Sequence, residues 1–140
     1  MRDCIVTDTR IVVQRFVDHF LAGRIGEGLS ILNEDGVFTI IGTTPASGVY
    51  RGRQDLLDRL QPSLQTFVAP SVFTVSEIIV EKGRAVVLAS SNGEGPYGPY
   101  MQLHYAFVTR VAGDGFAEVT ELNGTVAIEK ALYGRQFVKT

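Results

Sequence analysis

The chain has 140 residues, 45% hydrophobic and 20% charged, with a net charge of −2. That length accommodates one globular domain with a real core, and the sequence is read as a single domain over residues 1–140. A near-neutral balance without a basic run argues against nucleic acid, and no apolar run approaches the roughly 20 residues of a membrane span.

The first residues, Met1-Arg2-Asp3-Cys4-Ile5-Val6, lack the apolar stretch and small-residue cleavage site of a signal peptide, so none is expected. Cys4 is the single cysteine. It leaves no internal disulfide, suits a reducing, cytoplasmic compartment, and reads as an incidental thiol rather than a nucleophile.

Residues 8–22 have the spacing of an amphipathic helix. Asp8 or Thr9 can cap it, Val12, Val13, Phe16, Val17, Phe20 and Leu21 supply its apolar face, and Gly23 stops it. His19, at the edge of that stripe, reads as structural or exposed. A short second helix carries Ile25, Leu29 and Leu32, and Asn33-Glu34-Asp35-Gly36 is expected to turn the chain. Residues 37–41 form a β-rich run, 43–48 a loop and 49–51 a short strand. Helical spacing returns from Arg53 to about Gln65, with Pro62 able to kink or end it.

The second half changes period. Residues 72–80, 84–93, 100–111 and 116–124 are rich in β-branched and aromatic side chains, separated by glycine-bearing turns, and residues 126–133 suit a last helix. Helices first and a strand meander afterwards predict the α+β class. No P-loop, dinucleotide fingerprint, nucleophile elbow or metal-ligand spacing is present. The sequence therefore offers no cofactor and no metal site.

Three segments carry a resemblance. The connection Gly42-Thr43-Thr44-Pro45-Ala46-Ser47-Gly48-Val49-Tyr50-Arg51-Gly52-Arg53 is similar to a G-x-x-P-x-x-G-x-Y-x-G-R motif of isomerase-related proteins. Tyr105-Ala106-Phe107-Val108-Thr109-Arg110 resembles their central strand, and Glu121-Leu122-Asn123-Gly124-Thr125 resembles their E-Y-x-D-T strand end. Together they make the chain resemble the SnoaL-like polyketide cyclase and ketosteroid isomerase-like group, within the nuclear transport factor 2-like superfamily. The resemblance implies a cone-shaped, curved, mostly antiparallel sheet (a cystatin-like α+β roll) with about three helices packed on its concave face. It also implies a pocket for a small apolar molecule and a homodimer formed through the outer sheet face.

The same resemblance tests candidate chemistry. The steroid isomerase base would fall at Ile40, which cannot take a proton. Of the Asp-Arg-Asp set of related epoxide hydrolases, one carboxylate falls at Glu121, but the other two positions fall near Ser90 and Asn92. Strand alternation puts Val119, Glu121 and Asn123 on one face, and the resemblance turns that face inward. A carboxyl there would be tuned upward by desolvation, as a general acid or base requires. Glu121, Tyr105 and His104 are thus the catalytic candidates. Ser90, Asn92, Asn123, Phe38 and Ile40 are the candidate substrate contacts.

The face of the 100–111 strand stays open. Aligning on Tyr105 turns His104 and Gln102 outward, whereas aligning on Tyr100 turns them inward, because a one-residue slip exchanges the two faces. Two functions also stay open. One is a cofactor-independent isomerase, cyclase or hydrolase working on a small apolar carbonyl or epoxide compound. The other is a non-catalytic ligand-binding or interaction module of the same fold.

Overall fold

A computed structural model describes the backbone of residues 2–138 and the side chains of residues 8–138. The Cys4 thiol therefore lies outside the described residues. The elements, in chain order, are α1 (Arg2–Leu21), α2 (Ile25–Leu29), β1 (Leu32–Ile40), β2 (Gly48–Arg51), α3 (Arg53–Leu64), β3 (Ala69–Glu81), β4 (Arg84–Gly95), β5 (Gly98–Ala112), β6 (Gly115–Leu122) and α4 (Thr125–Tyr133). The strands form one six-stranded sheet in the order β2-β1-β6-β5-β4-β3. Only β1 and β6 run parallel, so the sheet is mixed and mostly antiparallel, as the α+β reading requires.

Several boundaries differ from those the sequence suggested. The first helix begins at Arg2, ahead of the expected cap. Residues 33–36 do not end an element. They are an irregularity inside β1, between the pairs Leu32↔Phe116 and Val37↔Glu118, where five positions of β1 pass two of β6. Pro62 does not end α3, which continues to Leu64.

The core forms where α1 crosses the sheet. Phe16 meets Phe107 and Phe116 edge-on, each at 5.3 Å, and Phe20 meets Phe73 at 5.0 Å. Such edge-to-face pairs add about 0.5–1.5 kcal/mol each beyond the area they bury. A second, smaller apolar cluster lies under α4, where Ile128, Ala131 and Leu132 surround Tyr100. Gly95 permits that docking, because a Cβ there would stand 2.4 Å from the Ala131 carbonyl oxygen.

The Gly42–Arg53 connection has a clear structural task. Tyr50 is buried and its hydroxyl donates to the Ala46 carbonyl at 2.5 Å, which folds the loop back on itself. Arg59 of α3 covers the Tyr50 ring at 4.4 Å and is held by Asp55 at 2.7 Å. Gly52 has φ +95°, a left-handed value that glycine tolerates, and its N–H donates to the Gly36 carbonyl at 2.7 Å.

The decisive irregularity is in β5. Ala89 pairs with Tyr105 and Ser91 with Gln102, so two steps along β4 pass three along β5. That is a β-bulge, with Leu103 and His104 both exposed. On one side of it Tyr105, Phe107 and Thr109 face inward, and on the other Tyr100 and Gln102 do. Both alternative alignments of this strand are therefore half right. Deleting His104 is expected to remove the bulge, turn Tyr100 and Gln102 outward and lower Tm by many degrees. The control His104→Ala should stay within about 0.5 kcal/mol of the parent in chemical denaturation.

Candidate functional site

Between the two apolar clusters lies a cavity of about 360 Å³. Phe20, Phe73, Phe107 and Leu60 supply much of its wall, Ile40 and Ala46 close another side, and Ile128 and Leu132 come from α4. Its polar lining comes from Glu121 of β6 and from Tyr100 and Tyr105 of β5, with Gln61, Ser63 and Gln65 at the end of α3 and Ser71 of β3. Small-molecule sites have this character: mostly apolar walls with a few placed polar groups.

Glu121 is there because β6 alternates regularly over its last residues, with Val119 buried and Glu121 one pleat further along the same face. Asn123 Nδ2 donates to Glu121 Oε2 at 2.7 Å. The hydrogen bond favours the carboxylate, but desolvation outweighs it and pushes the Glu121 pKa from 4.5 up to about 7. The titratable groups that feel its charge are Tyr50, Tyr100 and Tyr105.

Tyr100 and Tyr105 share a hydrogen bond at 2.8 Å across the bulge, and Gln102 Nε2 donates to the Tyr100 hydroxyl at 3.0 Å. Burial pushes the Tyr100 pKa up to about 12 and the Tyr105 pKa well above its ordinary value. Both phenols therefore stay neutral and keep a proton to share. Ser91 Oγ is buried and close enough to Tyr105 to pull its pKa slightly down, yet it meets no partner with full hydrogen-bond geometry. Asn123 Oδ1 is likewise buried without a partner.

The sequence-derived candidates divide accordingly. Glu121, Tyr105 and Ile40 line the cavity, and Asn123 supports Glu121 from behind. Phe38 is buried in the main core and does not reach the cavity wall. His104 lies on the outer sheet face, because it is part of the bulge, and has no access to the cavity. Ser90 and Asn92 also point outward; β4 turns Ala85, Val87, Ala89 and Ser91 inward, so the interior hydroxyl is Ser91. Tyr100 and Gln102 were missed as site residues. Five positions separate the two tyrosines, an odd number that simple alternation assigns to opposite faces. His19 is partly buried on α1, where its Nδ1 accepts from Arg24 Nε at 3.1 Å. Among the described residues no group of three or more His, Cys, Asp or Glu side chains is placed to hold a metal ion.

The SnoaL-like domain family matches residues 13–119. No curated protein matches the sequence at a significant level. Solved structures match the fold closely at low identity. An NTF2-like protein from Burkholderia xenovorans LB400 is 20% identical, with TM-score 0.69, over 90% of this chain and 96% of its own. A candidate SnoaL-like polyketide cyclase from Jannaschia sp. CCS1 is 14% identical, with TM-score 0.74, over 94% and 96%. A candidate isomerase from Bacillus subtilis is 14% identical, with TM-score 0.75, over 95% and 97%. At these identities the likeness concerns the fold.

The raised Glu121 pKa has a consequence for stability. The folded state holds this proton up to about pH 7, whereas an ordinary carboxyl releases it near 4.5. Between those values the folded chain binds more protons, so stability falls as pH rises through the window, by about 3 kcal/mol in all. Glu121→Gln should flatten that decline and make the protein more stable than the parent at alkaline pH, as read by denaturant unfolding across the pH range.

Proposed function

The chain belongs to the SnoaL-like domain family, and from that premise we propose that its cavity binds a small apolar carbonyl compound on which Glu121 performs acid/base chemistry. The observation that carries the reading is a lone carboxyl with a pKa of about 7 in an apolar cavity, facing the neutral hydroxyls of a tyrosine pair. A base works best when its pKa is close to the working pH, and burial supplies that match.

In the proposed reaction ionised Glu121 takes a proton from the carbon next to the carbonyl. The C–H electron pair moves toward the carbonyl, giving an enolate whose oxygen accepts a hydrogen bond from Tyr105. Glu121, now neutral, returns the proton to the same or another carbon, so no cofactor or second reactant enters the balance. With an epoxide the neutral acid would instead donate to the ring oxygen while water, as second reactant, adds to the ring carbon, the C–O bond breaks and the water's proton returns to Glu121, leaving a diol. Candidate isomerase and cyclase proteins among the fold's neighbours support this class of chemistry. The single cysteine fits a reducing compartment, and the reading is of a cytoplasmic protein.

Hydrogen exchange into small cyclic ketones in heavy water, followed by NMR, tests the reaction without knowledge of the substrate. Exchange should rise with pH through about 7, as Glu121 ionises. Glu121→Gln should lower it by about 100-fold or more. Saturable ketone binding with no exchange would replace the enzyme with a non-catalytic ligand carrier.

The homodimer belongs to the same proposal. On the outer sheet face Met101 is 55% and Leu103 68% exposed, and Leu122 of β6, which pairs with Ala106, is exposed as well, apolar surface that association would cover. Leu103→Glu is expected to weaken the dimer by roughly tenfold or more in sedimentation equilibrium. A parent chain that sediments as a monomer at high concentration would remove this part.

A further inference from the structure

Gln102 is not part of the cavity wall, yet it is only 2% exposed, enclosed between β5 and the corner after β6. A buried amide must find partners of the right sense for both its oxygen and its nitrogen. Gln102 finds them on one backbone unit: Oε1 accepts from the Gly124 N–H at 2.7 Å, and Nε2 donates to the Gly124 carbonyl at 2.9 Å. The second Nε2 proton goes to the Tyr100 hydroxyl at 3.0 Å.

This arrangement has only one sense. A backbone N–H can only donate and a carbonyl can only accept, so turning the amide over would oppose two donors and two acceptors. Tyr100 oxygen is therefore an acceptor toward Gln102. Its own proton then goes to its remaining neighbour, the Tyr105 hydroxyl 2.8 Å away. Tyr105 oxygen is thereby occupied as an acceptor, and its proton is left for a ligand oxygen in the cavity that the ring lines or, without one, for the neighbouring Ser91 Oγ. Each bond in such a chain polarises the next. Glycine at 124 keeps the clamp close, because a Cβ there would stand 3.0 Å from Gln102 Oε1.

We infer that Gln102 is a positioning residue that fixes the direction of a hydrogen-bond chain, Gly124 to Gln102 to Tyr100 to Tyr105, so that the cavity presents a donor and selects ligands bearing an oxyanion or a strongly polarised carbonyl oxygen. The inference rests on the ligand-binding reading of the cavity and not on any reaction there.

A matched pair of probes tests it: pentafluorophenol, an acidic phenol, and pentafluorotoluene, which has nearly the same shape and no oxygen. Affinities are read by fluorine NMR at a pH where the phenol is ionised and Glu121, with its pKa of about 7, is still protonated. The parent protein should prefer the phenolate by roughly tenfold or more, the range expected of a charge-assisted hydrogen bond. Gln102→Met removes the first donor without adding charge and should cut the preference by about threefold or more, while pentafluorotoluene affinity stays within about twofold. Gln102→Leu, which also lacks a donor but differs in shape, should give the same loss and keeps the test readable if Gln102→Met does not fold.

Parallel loss of both probes in the variants would make Gln102 merely structural, and an undiminished preference would remove its control of the chain. Equal binding of the two probes by the parent would overturn the donor while leaving the cavity intact. Binding of neither would overturn the ligand-binding reading and this inference with it.

Discussion

The extra residue in β5 is the constraint on which the site depends. A regular strand would place Tyr100 and Tyr105 on opposite faces, one in the core and one in solvent. The bulge at Leu103 and His104 resets the pleat, so both rings turn inward and their hydroxyls meet at 2.8 Å. Tyr105 belongs to the aromatic cluster under α1, and Tyr100 to the cluster under α4. Their hydrogen bond thus joins two apolar masses at a polar point. The cavity occupies the gap that the two masses leave between them.

The polar lining of that cavity is held in tension. Neutral tyrosines lose little by burial when their hydroxyls are paired, and Gln102 and Gly124 complete that pairing from the backbone. Glu121 differs, because its charged form is desolvated and is helped by a single amide, Asn123. The result is a carboxyl that changes state near neutral pH and destabilises the fold when ionised. Sites that carry function commonly retain a group of this kind at a cost in stability. Two further polar atoms near it, Ser91 Oγ and Asn123 Oδ1, are buried and meet no partner with full hydrogen-bond geometry.

Much of the architecture could be read from spacing. Helical periodicity marked Val12, Val13, Phe16, Val17, Phe20 and Leu21; the first five are buried, whereas Leu21, at the end of α1, is half exposed. Glycine-bearing turns separated four long strands, and the Gly42–Arg53 connection pointed to its own compact loop. Legibility failed where both faces of a strand carry similar residues. β4 reads Ala-Val-Val-Leu-Ala-Ser-Ser-Asn from Ala85 to Asn92, so alternation gives no signal, and the interior hydroxyl is Ser91 instead of Ser90 or Asn92. In β5, Met101 and Leu103 look like core beside Tyr105 and Phe107 but lie on the outer face. Residues 33–36 look like a turn, yet the sheet continues past them as an irregular stretch of β1.

The sequence by itself determined the element order, the α+β class, the family resemblance and the presence of a carboxyl at Glu121 on the face of Val119. These follow from local propensity and from periods counted within one segment. Tertiary structure alone decided which side chains share the cavity. A bulge is defined by the partner strand, since only Ala89 and Ser91 of β4 reveal that three residues of β5 span two. The Glu121 pKa was equally invisible in the sequence, because desolvation is a property of the walls that α1, α3 and α4 bring around it.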